Sequence, residues 1–204
     1  MSSKKEQRLV LFDFDGTLTN RDSLFAFLKF FKGKWYFLNK FTLSLPILIS
    51  YTLRILNGSE AKERLLSKFV KNVPETEFKN RCTIFGEEMV PKILNKSIVE
   101  TFKQHIGNGD RVIIVSASIV DWIAPWANQF NVEVVSTKMK FENGVLTGTF
   151  DGKNCNGEEK VERIKAHVNL SDYNDIWAYG DSAGDEPMLA LANYPVRLGK
   201  KRIS

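Results

Sequence analysis

Two carboxylates one residue apart, in Asp13-Phe14-Asp15, follow directly on the apolar run Leu9-Val10-Leu11-Phe12. Two further runs share that design: Val112-Ile113-Ile114-Val115 leads into Ser116, and Ile176-Trp177-Ala178-Tyr179 leads into Gly180-Asp181, with Asp185 close behind. Neighbouring carboxylates repel, and a third at Asp181 is tolerable beside Asp13 and Asp15 only if a cation offsets them. A hard divalent ion with oxygen ligands, Mg²⁺ first among candidates, suits such a set. Backbone N–H groups that curl after a buried strand form anion-binding nests. Metal and nest together point to the handling of phosphoryl groups.

These residues can meet only if the strands before them lie side by side. A short apolar run bounded by turn residues is the pattern of a strand buried on both faces of a parallel sheet. Ligands bind beyond the carboxyl ends of such strands, so Asp13, Ser116 and Asp181 are expected at one sheet edge. Between the first two lies a long helical region. Ser59 with Glu60 and Glu63 starts a helix running to about Val73, and Pro74 opens another. A single stretch from Phe85 to Ile106 carries Pro91 and stops at Gly107-Asn108-Gly109-Asp110. Val120 to Phe130 reads as a helix with a kink or early end at Pro125. After a strand at Val132–Ser136, Asn143-Gly144 between Lys138–Phe141 and Val145–Phe150 is a hairpin signal. A helix from Gly157 to Val168, a helix from about Glu186 and a last strand, Tyr194 to Leu198, complete the pattern. Both histidines, His105 and His167, fall on helices without metal-ligand spacing and read as surface or satisfied residues.

The 204 residues, 43% of them hydrophobic and 26% charged, fit an ordinary globular chain with one core and a large insertion. Cys82 and Cys155 form no CxxC pair, which argues against a zinc site or a disulfide framework. Met1 to Arg8 is charged and runs straight into the first strand, with no apolar signal stretch, so a cytoplasmic location is expected.

The net charge of +5 is unevenly placed. From Ser23 to Ser59 there is no acidic residue, while Lys29, Lys32, Lys34, Lys40 and Arg54 are basic, and nine of the 24 aromatic residues fall there, Tyr51 among them. One reading is a helical subdomain with an apolar core and solvated lysines. The other is peripheral contact with an anionic membrane at the inner surface through residues 29 to 54. Nucleic acid is not expected as a partner. The uncharged run Phe41 to Leu53 is shorter than the ~20 residues a spanning helix needs, and Pro46 is expected to kink it.

Four motifs in order carry a family resemblance. Asp13-Phe14-Asp15-Gly16-Thr17-Leu18 resembles the DxDGT motif of the haloacid dehalogenase superfamily. Ser116 resembles its second motif, Lys160 its third, and Gly180-Asp181-Ser182-Ala183-Gly184-Asp185 its fourth. The resemblance implies a doubly wound, Rossmann-like parallel α/β sheet, with residues 1–19 and 91–204 as catalytic core and 20–90 as a helical cap inserted after the first strand. It also implies roles. Asp13 would be the nucleophile, forming an aspartyl-phosphate, and Asp15 the acid for the leaving group and then the base for water. Members that cleave carbon–halogen bonds lack that second acid. Mg²⁺ would sit on Asp13, Asp181 and the main-chain carbonyl of Asp15; Ser116 and Lys160 would bind the phosphate, and Asp185 would orient Asp181 and Lys160.

The helical insertion between the first two motifs is similar to that of the phosphoserine-phosphatase-like branch. Ser116-Ala117-Ser118 stands where that branch tends to read Ser-Gly-Gly, and Ser182 and Gly184 stand where it has Gly and Asn. The expected substrate is thus a phosphorylated small molecule of unassigned identity. A lipid phosphate is the alternative, because the apolar stretch after the first motif resembles bacterial phosphatidylglycerophosphate phosphatases. A non-catalytic peripheral membrane module is the remaining reading, opposed by the retention of both Asp13 and Asp15.

Overall fold

The computed structural model describes residues 8–53 and 55–199. Arg54, the side chain of Tyr51 and the leading residues before Arg8, on which parts of the reading above fall, lie outside what is described.

Five parallel strands form the centre: β1 (Leu9–Phe12), β2 (Arg111–Ile119), β3 (Glu133–Thr137), β6 (Ile176–Gly180) and β7 (Tyr194–Arg197), in the order β3-β2-β1-β6-β7. The expected α/β sheet is therefore present, with β1 in the middle. Every residue of β1 is buried, and alternate side chains enter different clusters, as a period of two requires. Leu9 and Leu11 pack with Ile113, Val115, Ile164 and Met188. Val10 and Phe12 join the larger cluster on the other face. The strand order reverses between β1 and β6, which opens a crevice beyond their carboxyl ends.

The helices α9 (Glu158–His167) and α10 (Glu186–Leu189) cover the first face, with Ile164 and Met188 as anchors. The second face is covered by α7 (Lys96–Gly107) through Phe102 and by α8 (Val120–Ala127) through Trp122 and Trp126. Between β1 and α7 come α1 (Ser23–Lys32), α2 (Lys34–Thr42), α3 (Leu45–Thr52), α4 (Gly58–Val70), α5 (Glu75–Ile84) and the short α6 (Val90–Ile93). Phe27 of α1, Leu66 of α4 and Phe78 of α5 belong to the same buried cluster as Phe12 and Trp122, so the insertion shares the sheet's core. The hairpin of β4 (Met139–Glu142) and β5 (Val145–Phe150) forms as expected and packs its second strand on α4.

Two local expectations are corrected. The stretch Phe85–Ile106 is not one helix: a wide turn at Phe85–Met89 leads into α6, and Leu94 is extended before α7 begins. The cause is tertiary. Leu94 pairs antiparallel with Thr19, and Asn20 N–H and Asn95 N–H donate to Ile93 and Leu18 carbonyls at 2.8 Å, so the chain leaves and rejoins the sheet through one short two-stranded crossing. Pro91 then sits in the first turn of α6, where its missing N–H costs nothing. Pro46 likewise falls in the first turn of α3 rather than kinking a longer helix. The early end expected near Pro125 is found: α8 stops at Ala127 and gives way to a 3₁₀ turn, Asn128–Phe130, and a left-handed Asn131.

Candidate active site

Asp13 leaves β1 in an extended conformation, its N–H donating to the Tyr179 carbonyl at 2.9 Å. The chain then turns sharply through Gly16, whose φ is +84° and whose missing Cβ leaves room for the Asp181 carboxylate. A side chain at position 16 would occupy the space of that carboxylate, so glycine is required twice over. Gly180 plays the matching part at the end of β6: a Cβ there would lie 2.5 Å from that of Asp185. Asp13, Asp181 and Asp185 are thereby drawn together, each with a carboxylate oxygen within 4.8 Å of the others.

Lys160 ties this cluster to the sheet. Its ammonium, 1% exposed, donates to Asp13 Oδ1 and Asp185 Oδ1 at 2.6 Å each and to the Val115 carbonyl at 2.9 Å. All three of its protons are used. Asp185 spends its other oxygen on the Ser182 hydroxyl at 2.7 Å and the N–H groups of Ser182 and Asp181. It fixes the loop that presents Asp181. Burial works against the Lys160 cation, but Asp13 and Asp185 outweigh it and hold the ammonium above its ordinary range. Burial also disfavours the Asp185 anion, yet Lys160 and the Ser182 groups keep its carboxyl low.

Asp13 behaves differently. Burial pushes its carboxyl up to about 7, with Lys160 pulling down and Asp185 and Asp15 adding repulsion. Lys160 contacts Asp13 and Asp185 of the three clustered acids, and a dication would add further positive charge to the cluster. The donors are all oxygen, as Mg²⁺ prefers, and their spacing is near the roughly 3–4 Å between oxygens sharing an ion at 2.0–2.1 Å. Asp13 and Asp181 fit that ion; Asp185 lies close but is already engaged by Lys160 and Ser182.

Asp15 turns away from the cluster. Its Oδ1 accepts from the Ser23 N–H at 2.8 Å, and its Oδ2 accepts from the hydroxyls of Ser23, at 3.2 Å, and of Ser118. Trp122 Nε1 braces Ser23 at 3.2 Å. The Asp15 side chain is therefore unavailable to a metal shared with Asp181, which leaves its main-chain carbonyl for that purpose. Burial and the charge of Asp22 raise its carboxyl, against the Ser118 hydrogen bond and the nearby Lys62 cation. A raised acid is suited to giving up a proton. Ser116, 1% exposed, accepts from the Ser118 N–H at 3.0 Å, so its own proton is left for a ligand. Thr17 Oγ1 is buried with no hydrogen-bond partner among the described residues.

Three residues at the site had not been singled out in the sequence. Ser118 lies two positions after Ser116 on one strand, so the period of two could have flagged it. Ser23 looks like any helix-start serine. Lys62, on α4, reaches over the site to donate to the Ala117 carbonyl at 2.7 Å; burial lowers its pKa against the pull of Asp15, Asp22 and Asp13. Nothing in the sequence separates it from a solvated lysine. The histidines sit apart from this chemistry. His105 is buried and satisfied by Asp110 at 2.7 Å and Tyr179 at 2.9 Å, and His167 contacts Glu133.

Fold and site together define a doubly wound α/β protein whose acidic cluster sits at a strand-order reversal under a helical insertion. Residues 10–190 match the model of the haloacid dehalogenase-like hydrolases, and the chain belongs to that family. It is 34% identical over 190 residues to Protein CicA of Caulobacter vibrioides, covering 92% of this chain and 84% of that one. Among solved structures, a protein of unknown function from Bordetella pertussis Tohama I superposes with a TM-score of 0.78 at 24% identity, over 95% of this chain and 90% of that one. A substrate-bound phosphoserine phosphatase gives a TM-score of 0.65 at 19% identity, over 98% and 95% of the two chains. The likeness to both extends through the helical insertion.

Proposed function

We propose that the protein is a Mg²⁺-dependent phosphatase that hydrolyses a phosphomonoester through an aspartyl-phosphate on Asp13. The observation carrying this reading is the division of labour among the acids. Asp13 is pinned by Lys160 within the Asp181–Asp185 cluster, while Asp15 is held apart by Ser23 and Ser118 with its carboxyl raised. Family membership and the phosphoserine-phosphatase-like fold support it.

In the first step an Asp13 carboxylate oxygen attacks phosphorus in line with the leaving oxygen, and the P–O bond to the substrate breaks. Asp15 gives its proton to that leaving oxygen. Ser116 donates its free hydroxyl proton to a phosphoryl oxygen, and Lys160 offsets charge on Asp13 and the phosphoryl group, contributions typically worth ~3–4 kcal/mol per donor. Asp15, now ionised, takes a proton from water, which attacks phosphorus and releases Asp13. Mg²⁺ held by Asp13, Asp181 and the Asp15 carbonyl would polarise phosphoryl oxygens and offset the nucleophile's charge. The insertion excludes bulk water, and Lys62 brings a cation toward the leaving group.

The substrate is a phosphorylated small molecule whose alcohol is the leaving group, tested by a phosphomonoester panel assayed with Mg²⁺ beside Asp13→Asn. Turnover that disappears with the metal or in that variant supports the proposal; turnover that survives both refutes it. A lipid phosphate is the second reading, favoured by the exposed apolar side chains of the insertion.

A further inference from the structure

Eight of the nine large apolar side chains exposed among the described residues fall between Trp35 and Ile55. Scattered exposed leucines are ordinary, but a concentration on two consecutive helices marks a contact surface. α2 is held from within by Phe37, packed on Phe25, Phe41 and Phe69, and turns Trp35 and Leu38 outward. α3 and the turn after it present Leu45, Ile49 and Leu53 to solvent at steps of four residues, a single helical stripe. Trp35 is 81% exposed and Ile55 71%. Such helices carry their apolar stripe on the outside.

The charges around this face have one sign. Ser23 to Ser59 contains no acid, and none of Lys29, Lys32, Lys34 and Lys40 has an ion pair among the described residues. Their ammoniums instead lie over rings: Lys34 is 6.0 Å from Trp35, Lys40 5.7 Å from Tyr36 and Lys29 5.2 Å from Phe37. Protein–protein interfaces are depleted in lysine, whereas lysine interleaved with tryptophan and leucine suits the boundary between anionic headgroups and acyl chains. No helix among the described residues is long and apolar enough to cross a bilayer. We propose that the α2–α3 face docks on the surface of an anionic lipid bilayer, burying Trp35, Leu43, Leu45, Ile49 and Leu53 among the headgroups with the lysines at phosphate level. The docked helices lie between α1 and α4, which supply Ser23 and Lys62 to the site.

The test is co-sedimentation of the full chain with vesicles of phosphatidylcholine alone or mixed with phosphatidylglycerol, at low and high salt. The protein should pellet with the mixed vesicles and release as salt is raised. Each lysine near an anionic surface is worth about fivefold, so K32E/K34E/K40E should lower the partition coefficient at least about 100-fold. W35S/I49S/L53S should abolish binding at every salt concentration. All six positions lie outside the core, and thermal unfolding with p-nitrophenyl phosphate turnover would verify intact variants. A folded protein that ignores anionic vesicles at low salt overturns the proposal. So does equal binding to neutral vesicles, or self-association that W35S/I49S/L53S removes while vesicles bind nothing. Binding needs no turnover, so failure here and failure of the phosphatase reading are separable.

Discussion

At the scale of single residues, the site is organised by one ammonium. Lys160 joins Asp13, Asp185 and the Val115 carbonyl of β2 in a space almost closed to solvent. Removing it leaves two buried carboxylates without their cation, and Lys160→Met should destabilise the protein by about 3 kcal/mol, read as a fall in the denaturation midpoint at constant slope. Asp15 has a separate task with a separate signature. Asp15→Asn should slow turnover of an alkyl phosphate between about 100- and 10,000-fold. p-Nitrophenolate leaves without a proton, so with that substrate the variant should release a burst equal to the enzyme concentration before turnover slows; equal slowing of both substrates with no burst would refute the assignment. Asp13, Ser116, Lys160 and Asp181 were legible in the sequence because each ends an apolar run or falls in an ordered motif. Ser23 and Lys62 were not, because a serine at a helix start and a lysine on a charged helix acquire meaning only when another element brings them to Asp15.

At the scale of elements, strands were easier to read than helices. A buried parallel strand advertises itself by its composition, and β1, β2 and β6 appear where their apolar runs stand. The break at Leu94 had no such signal, because the pairing partner that extends it, Thr19, lies on the far side of the insertion. The wide turn at Phe85–Met89 has a comparable cause. Gly86 brings that turn onto α8 so closely that a Cβ would lie 2.8 Å from Pro125 and 2.9 Å from the Trp122 carbonyl. Gly86→Ala must push the turn away from a backbone carbonyl and should cost about 1–3 kcal/mol, seen as a lower melting temperature. A melting temperature at or above that of the parent would mean that the turn gives way freely.

At the scale of the whole molecule, two apolar clusters flank one sheet, a cluster of three aspartates gathers at its carboxyl edge, and an acid-free basic segment lies on α2 and its flanks. The acidity has a pH signature in the metal-free protein. The Asp13 carboxyl is raised on folding to about 7 from 3.8, so between these values the folded state binds more protons than the unfolded one, and stability should fall as pH rises through that window. Mg²⁺ should restore the loss near neutral pH, measured as melting temperature against pH with and without the ion. The sign of the clustering was visible in the sequence, but its tightness was not, since it depends on Gly16 and Gly180 admitting Asp181 and Asp185. The most direct test of the account is acid quenching during turnover in Mg²⁺, followed by mass spectrometry of the peptide that carries Asp13. The account predicts one phosphoryl group on Asp13, absent from Asp13→Asn; rapid turnover with no phosphorylated peptide, or with the label on another residue, would contradict it.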